Sequence, residues 1–510
     1  MLVIFFLYNV QKFLIFLEDN IDHNLIVVRR ILNLGHKISL KMQNKSPIQA
    51  AMFQELTDRS IFQQAQTYAF DYLDQVFDRP VFPKDTDLEN LAIFEEALPN
   101  HSTPTSKLLK TLHQYGSPAT TAQIGGRYFG FVNGGIVPAG LAAKCLSDFW
   151  DQNTAMQVIS PISAKLETVV EKWLIQLFKL PSQTVAGFVS GTSSATFCGL
   201  AAARFRILQK QGWDMNTKGL FDAPKIRIVS GRQTHSTVLK AVSLLGFGTD
   251  NIEWVEVDDQ GRIIPEKMPP LDDRTIVLLQ AGNVNSGSFD PFWEIGQKAK
   301  AAGAWVHIDG AFGLWAAAVG QLNDLTRGIE LANSWSVDGH KTLNTPYDSG
   351  IVLCEDKEAL VSALHLSGAY IILGKERDGM FFTPEMSRRA RIIELWATMK
   401  FLGTGGIDEM IYGLHQRAQQ FAAELTDQGF QILNKVVFNQ VLVYCDSDEK
   451  TAKILKAVQA LRVCWCGGSR WHGKRVIRIS VCSWATTAED VSLSVASFAK
   501  AKKMVEKIDV

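Results

Sequence analysis

Between Val185 and Leu353, short apolar runs alternate with helix-like stretches, and no other feature of the chain restricts its fold as strongly. The runs are Val185–Val189, Ile226–Val229, Ile252–Val257, Thr275–Leu279, Trp305–Ile308 and Gly350–Leu353. Amphipathic stretches such as Ala195–Gln211, Ser236–Leu245 and Pro291–Ala302 lie between them. The runs have the length of buried strands. Strands separated by helices argue for a mostly parallel sheet covered on both faces, an α/β fold.

The flanks read differently. From Pro47 to about Gly134 the pattern is helical, interrupted where Pro80 and Pro83 break any helix. It resumes over Ala139–Trp150 and Ser163–Leu180. From Arg388 a long helical segment leads into a smaller α+β region ending in Val476–Val481, and Thr486-Thr487-Ala488-Glu489 reads as a capping box that opens a final helix. The expected organisation is an extension (1–41), a helical N-terminal arm (42–135), a large α/β domain (136–387) and a small C-terminal domain (388–510). The groove between the last two is a natural ligand site.

The first 17 residues are rich in Leu, Ile and Phe, but Asn9, Gln11 and Lys12 break the run. It falls short of a spanning length and lacks a basic start and a small-residue cleavage site. The preferred reading is an extension outside the fold, with Met42 as the functional start; a membrane-associating helix is the alternative. Acidic and basic residues balance at 52 each, so no field that would gather nucleic acid or an anionic membrane is expected. Seven scattered cysteines suit reduced thiols in the cytoplasm. Cys464 and Cys466, with no second pair nearby, read as strand packing, and no metal site is expected.

Four places carry chemistry. Lys341, in Asp338-Gly339-His340-Lys341, follows the strand-like Ser334–Val337; burial there would make its amine a usable nucleophile. Most lysines, however, are solvated surface groups. Asp309 ends the Trp305–Ile308 run, where parallel sheets place ligand-binding groups, with Gly310-Ala311 beside it. It reads equally as a turn cap. Ser190-Gly191-Thr192-Ser193-Ser194 opens a long helix, so its free N–H groups and the helix dipole suit a phosphate, or form a plain N-cap. His235 is a cofactor-facing ring or a satisfied surface imidazole.

Taken in order, with Arg127-Tyr128-Phe129-Gly130-Phe131, Gly282-Asn283-Val284-Asn285, His307-Ile308-Asp309-Gly310-Ala311 and Ser387-Arg388-Arg389, these markers give a resemblance. From about Gln49 to near its C-terminus the chain resembles the group II pyridoxal 5′-phosphate (PLP)-dependent amino-acid decarboxylases. These belong to the fold-type I, aspartate-aminotransferase-like superfamily, with a mostly parallel seven-stranded sheet. The resemblance implies decarboxylation of an L-amino acid to an amine and carbon dioxide, through a Lys341 Schiff base and a quinonoid intermediate, in a homodimer. It implies that Asp309 pairs with the pyridine nitrogen, that His235 stacks on one ring face and that Ala311 lies against the other. Thr192, Ser193, Ser334 and His340 would bind the phosphate, and Asn285 the ring hydroxyl. Arg478 is a candidate for the substrate carboxylate or for an internal ion pair. Tyr128, Phe131 and Trp471 are pocket or core aromatics.

Three places depart from the family pattern. The stretch Gly374–Pro384 matches a loop that in these decarboxylases carries a proton-donating tyrosine, and here it holds Phe381-Phe382. Tyr370 or His340 could substitute, or a group from the partner subunit. Loss of that hydroxyl accompanies aldehyde formation in relatives, so oxidative decarboxylation, transamination and aldol cleavage stand as alternatives. A catalytically idle binding protein is a further one, against which the intact Asp309 and Lys341 argue. Asp338 replaces an asparagine near the phosphate, and a carboxylate there should turn toward backbone N–H groups. Lys165 replaces an acidic residue after Ser160-Pro161.

Overall fold

The structure is a computed structural model that describes residues 45–365 and 377–508. The 1–41 extension and Tyr370 lie outside the described residues. The described residues form two compact units, one of residues 45–74 and 85–119, the other of 75–84, 120–365 and 377–508.

The first unit is helical. Helix α1 (Pro47–Thr57) starts where the Ser46 side chain accepts from Gln49 N, with proline in its first turn, and buries no residue. Helix α2 (Ser60–Val76) and the short α3 (Thr105–Thr111) follow. The unit is tied by Thr105 Oγ1 donating to Glu55 (2.7 Å) and by the Tyr68 ring stacked on His113 at 4.1 Å.

In the second unit, helices α4 (Pro138–Trp150) and α5 (Pro161–Leu177) precede the sheet. Its strands are β1 (Val185–Val189), β2 (Arg227–Gly231), β3 (Ile252–Val255), β4 (Thr275–Gln280), β5 (Trp305–Asp309), β6 (Ser334–Asp338) and β7 (Gly350–Cys354). Their order is β1-β7-β6-β5-β4-β2-β3, and only β7 runs against the rest. Apart from β3 and the first residue of β2, these strands are buried along their length, which is why they read as unbroken apolar runs rather than alternating ones. Helices α6 (Thr192–Lys210), α7 (Ser236–Leu244), α8 (Phe292–Ala302) and α9 (Lys357–Leu364) connect them. Two apolar layers result. One centres on Trp315, Trp335 and Phe178, the other on Ala201, Leu200 and Val242 beneath α6 and α7.

The long α10 (Ile392–Asp427) changes direction at Gly403, whose φ of 60° and ψ of −174° are non-helical. It leads to β8 (Gln431–Ile432), β9 (Gln440–Tyr444), α11 (Asp448–Leu461), β10 (Gly467–Trp471), β11 (Lys474–Ser480) and α12 (Ala488–Ile508). The four strands form an antiparallel sheet ordered β10-β11-β9-β8. Cys464 and Cys466 are free thiols buried in this core.

Two local expectations are corrected. The helical reading up to Gly134 stops earlier: the stretch after Ser117 is irregular up to Pro138. Five glycines loosen it, Phe131 and Val132 take positive φ, and its backbone bonds go to distant partners such as Trp465 and His340. The capping box is shifted by one residue. Thr487 Oγ1 accepts from Asp490 N (3.1 Å) and Asp490 Oδ2 accepts from Thr487 N (3.0 Å), while Thr486 Oγ1 donates to Gly126 O.

Candidate active site

Parallel strands that end together put their last residues on a common edge, and here the edge carries the chemistry. Asp309 closes β5 and Asp338 closes β6. Asp309 pairs across the ladder with Ser336, so Asp309, Ser336 and Asp338 project from the same face. Lys341 stands three residues past Asp338, and its Nζ lies 3.0 Å from Asp338 Oδ2. Glycine makes the approach of the preceding segment possible: a Cβ on Gly134 would collide with the Lys341 carbonyl.

Asp309 is buried and, among the described residues, accepts one hydrogen bond, from Ala311 N to Oδ1 at 3.1 Å. Burial pushes its carboxyl above the ordinary 3.8, a shift opposed by the nearby His235 and Lys341 and reinforced by Asp338. His235 caps α7, with Nδ1 2.7 Å from Thr237 Oγ1 and accepting from Thr237 N at 3.3 Å. Burial holds its imidazole below 6.5; Asp309 works against that shift, and Lys341 and Arg478 with it. Four groups from distant parts of the sequence, His235, Asp309, Lys341 and Arg478, therefore share one electrostatic neighbourhood.

At the start of α6, Asp338 Oδ1 accepts from Thr192 N (2.7 Å) and Oδ2 from Thr192 Oγ1 (3.0 Å). The carboxylate does turn toward a backbone N–H, as its charge requires. Ser193 beside it is exposed. His340 accepts from Ser349 N through Nδ1 (3.1 Å), so its proton sits on Nε2, which faces Asp338 Oδ2 at 3.6 Å. Its ring stacks on Tyr347 at 4.3 Å, and burial depresses its pKa.

On the opposite side, Arg478 of β11 reaches Val284 O at 3.2 Å, and burial lowers its pKa. No carboxylate among the described residues pairs with it. Asn285 Oδ1 accepts from Ser469 Oγ at 2.6 Å. The Trp471 indole is buried, and its N–H has no partner among the described residues. Tyr128 stacks on Trp465 at 5.2 Å and is buried, whereas Phe131, 5.4 Å from the same ring, is 63% exposed.

One expected phosphate contact is corrected. Ser334 sits at the other end of β6, ~13 Å along the strand from Asp338 at the usual rise per residue. Its hydroxyl accepts from Trp305 Nε1 (2.9 Å) and lies 2.8 Å from His307 Nδ1, fully buried. His307 is kept neutral there, its pKa pushed down to about 3 by burial. Ser334 therefore belongs to the core.

Other residues escaped the sequence reading. Asn344 binds Gly135 N, Trp484 N and the carbonyls of Lys341, Thr342 and Cys482, and so locks the turn after Lys341. Lys165 is exposed, and the buried acid of α5 is Glu167 instead, bound by Arg388 (2.8 Å) and Arg377 (2.9 Å).

A buried carboxylate with one free oxygen, a lysine within the same cluster, a histidine and a helix N-terminus match the polar ends of PLP: pyridine nitrogen, aldehyde, ring face and phosphate. The pyridoxal-dependent decarboxylase conserved domain matches residues 88–444. The chain belongs to that family. The acidic amino acid decarboxylase GADL1 of Mus musculus is 26% identical over 330 residues, covering 62% of this chain but 59% of the mouse protein, less than two thirds of it. Tryptophan decarboxylase 2 of Oryza sativa is 25% identical over 438 residues, covering 80% of this chain and 85% of the rice protein. A crystal structure of Oryza sativa TDC with PLP and tryptamine superposes with a TM-score of 0.80 at 21% identity, over 88% of this chain and 97% of that one. This last likeness shows the fold, fold-type I. The family's cofactor is PLP, and the residues present fit it.

Proposed function

We propose that this protein decarboxylates an L-amino acid to the corresponding amine and carbon dioxide. The observation that carries the reading is that His235, Asp309 and Lys341, which follow or end strands of one sheet, share an electrostatic neighbourhood that Arg478 of β11 also reaches. When bound, PLP supplies an electron sink for the pair left by the broken carbon–carboxylate bond. Lys341 would hold the cofactor aldehyde covalently and yield it to the substrate amine. Asp309, buried and with Oδ2 free, would keep a proton on the pyridine nitrogen, because an opposite charge favours the charged form. His235 would cover one ring face and Ala311 the other, with Thr192, Ser193 and His340 at the phosphate.

Arg478 has no carboxylate partner among the described residues, which suits a substrate carboxylate. Orientation selects the bond that breaks, so the guanidinium would act by holding that carboxylate out of the ring plane. Asn285 is already engaged by Ser469, so contact with the ring hydroxyl would go through its amide nitrogen. Phe382 is buried in the core, with the Arg377 guanidinium 3.8 Å from its ring centre, and Phe381 meets His365 edge-on at 4.3 Å. These phenylalanines serve packing and offer no proton donor, so aldehyde formation stands as the alternative outcome.

Leu146, Phe149, Trp150, Val158, Ile159 and Ile162 are exposed along α4 and the start of α5. An apolar surface of that extent suits a homodimer. The test of the reaction is mass-spectrometric product analysis of the PLP-loaded protein with each common L-amino acid, ornithine and 2,4-diaminobutyrate. An amine from one or a few of them is expected. An aldehyde or a keto acid as the sole product overturns the proposal and names the reaction that replaces it.

A further inference from the structure

The helix end that suits the cofactor phosphate already receives an anion from the chain itself. Helix α6 is 19 residues long, and its N-cap, Gly191, offers no side chain to its free N–H groups. Asp338 fills that role with both oxygens: Oδ1 on Thr192 N, Oδ2 on Thr192 Oγ1. The same carboxylate forms the ion pair with Lys341 and faces His340 Nε2. It is 2% exposed. A phosphate seated at this helix would draw on the same donor pair and the same positive field. Two anions in one dry subsite repel, so carboxylate and phosphate compete for Thr192.

The main chain around Asp338 is fixed. Its N–H donates to Ala311 O at 2.9 Å, and its carbonyl accepts from Trp315 Nε1 at 2.8 Å. Relief of the competition must therefore come from rotation of the side chain, with Thr192 and Lys341 released together.

We propose that Asp338 is an internal competitor of the cofactor phosphate, a carboxylate that must swing off Thr192 for PLP to seat and that thereby sets cofactor affinity. The inference rests on the reading of this site as the PLP site. It further assigns to Asp338 a control on loading: release of the ion pair frees the Lys341 amine at the moment the phosphate takes the helix end.

The test compares the full-length protein with Asp338→Asn after dialysing out cofactor, measuring dissociation constants for PLP and for pyridoxal, which lacks the phosphate. Asparagine keeps the size and one acceptor but removes the charge. Asp338→Asn is expected to bind PLP about tenfold more tightly, with little change for pyridoxal, since removing one like charge at such a contact is an effect of this order. Inorganic phosphate should raise the melting temperature of the variant at concentrations that leave the wild type unmoved. Asp338→Ala, should the asparagine variant fold poorly, is expected to shift the PLP-to-pyridoxal ratio the same way. PLP binding in the wild type with equal or weaker binding in both variants overturns the competition alone. Failure of wild type and variants alike to bind PLP overturns the site reading with it.

Discussion

Asp309 and Asp338 end neighbouring strands of one sheet, project from the same face and are both buried, yet their surroundings assign them opposite tasks. Asp309 accepts a single hydrogen bond and is left with an open oxygen, so burial raises its pKa and it is primed for a cationic partner. Asp338 has both oxygens engaged by Thr192 and by the Lys341 ammonium, so its charge is answered from within the chain. Position along a strand decides where a carboxylate can stand. The donors brought to it by other elements decide what it does. Lys341, beside one and within electrostatic reach of the other, is the group both act upon.

Removing Lys341 should have the largest effect. In Lys341→Ala, turnover is expected to fall by ~10³-fold or more, because the group proposed to carry the cofactor is gone. Borohydride reduction should no longer fix a pyridoxyl group on the chain, as peptide mapping would show. Near-wild-type turnover would erase the contrast between the two carboxylates altogether.

Asp309→Asn comes next, with a double signature. Loss of a preorganised charge opposite the reacting ring should lower kcat by ~10²–10³-fold. The cofactor-free protein should melt higher at neutral pH. The reason is the sign of the shift: a carboxyl whose folded pKa is raised above 3.8 costs stability as pH rises through that folded value, and asparagine removes the cost. Were Asp309 only a turn cap for Ala311 N, asparagine would replace it in kind: the melting temperature would still rise, but kcat would not move. The tenfold change in PLP affinity expected for Asp338→Asn is smaller and affects a different quantity, which keeps the two carboxylates experimentally separate.

How much of this was legible beforehand follows from what periodicity can encode. Buried parallel strands leave unbroken apolar runs, so all seven strand positions, Ser334–Val337 included, were visible to within one or two residues at most ends. Lys341, Asp309 and His235 each read alone as a surface lysine, a turn cap and a satisfied imidazole, and stood out only as an ordered set that resembles the family's motifs. Ser334 misled because its role was carried over from the family pattern, although the strand reading Ser334–Val337 already set it at the end away from Lys341. The Glu167 pairing with Arg377 and Arg388 joins a helix to residues more than 200 positions away, a contact no local pattern records. The irregular course of 120–137 was hidden because its backbone bonds go to remote carbonyls such as Trp465 O and His340 O rather than to its own turns.

The smallest effect belongs to His235, which links Asp309 to α7. Its Nδ1 accepts from Thr237 N, a role open only to a neutral ring with the proton on Nε2. Protonation would remove that acceptor, and burial already holds the folded pKa below 6.5. A depressed histidine contributes stability that is present above its unfolded pKa and lost as pH falls through the folded one. The melting temperature of cofactor-free wild type should therefore drop more steeply between about pH 7.5 and about pH 5.5 than that of His235→Asn, which keeps a capping acceptor without a titrating ring. The gap should be on the order of 1–3 °C for a unit of this size. A flatter wild-type curve would mean that His235 is charged and paired with Asp309, in which case the open oxygen of Asp309 is already answered and the two strand ends are alike.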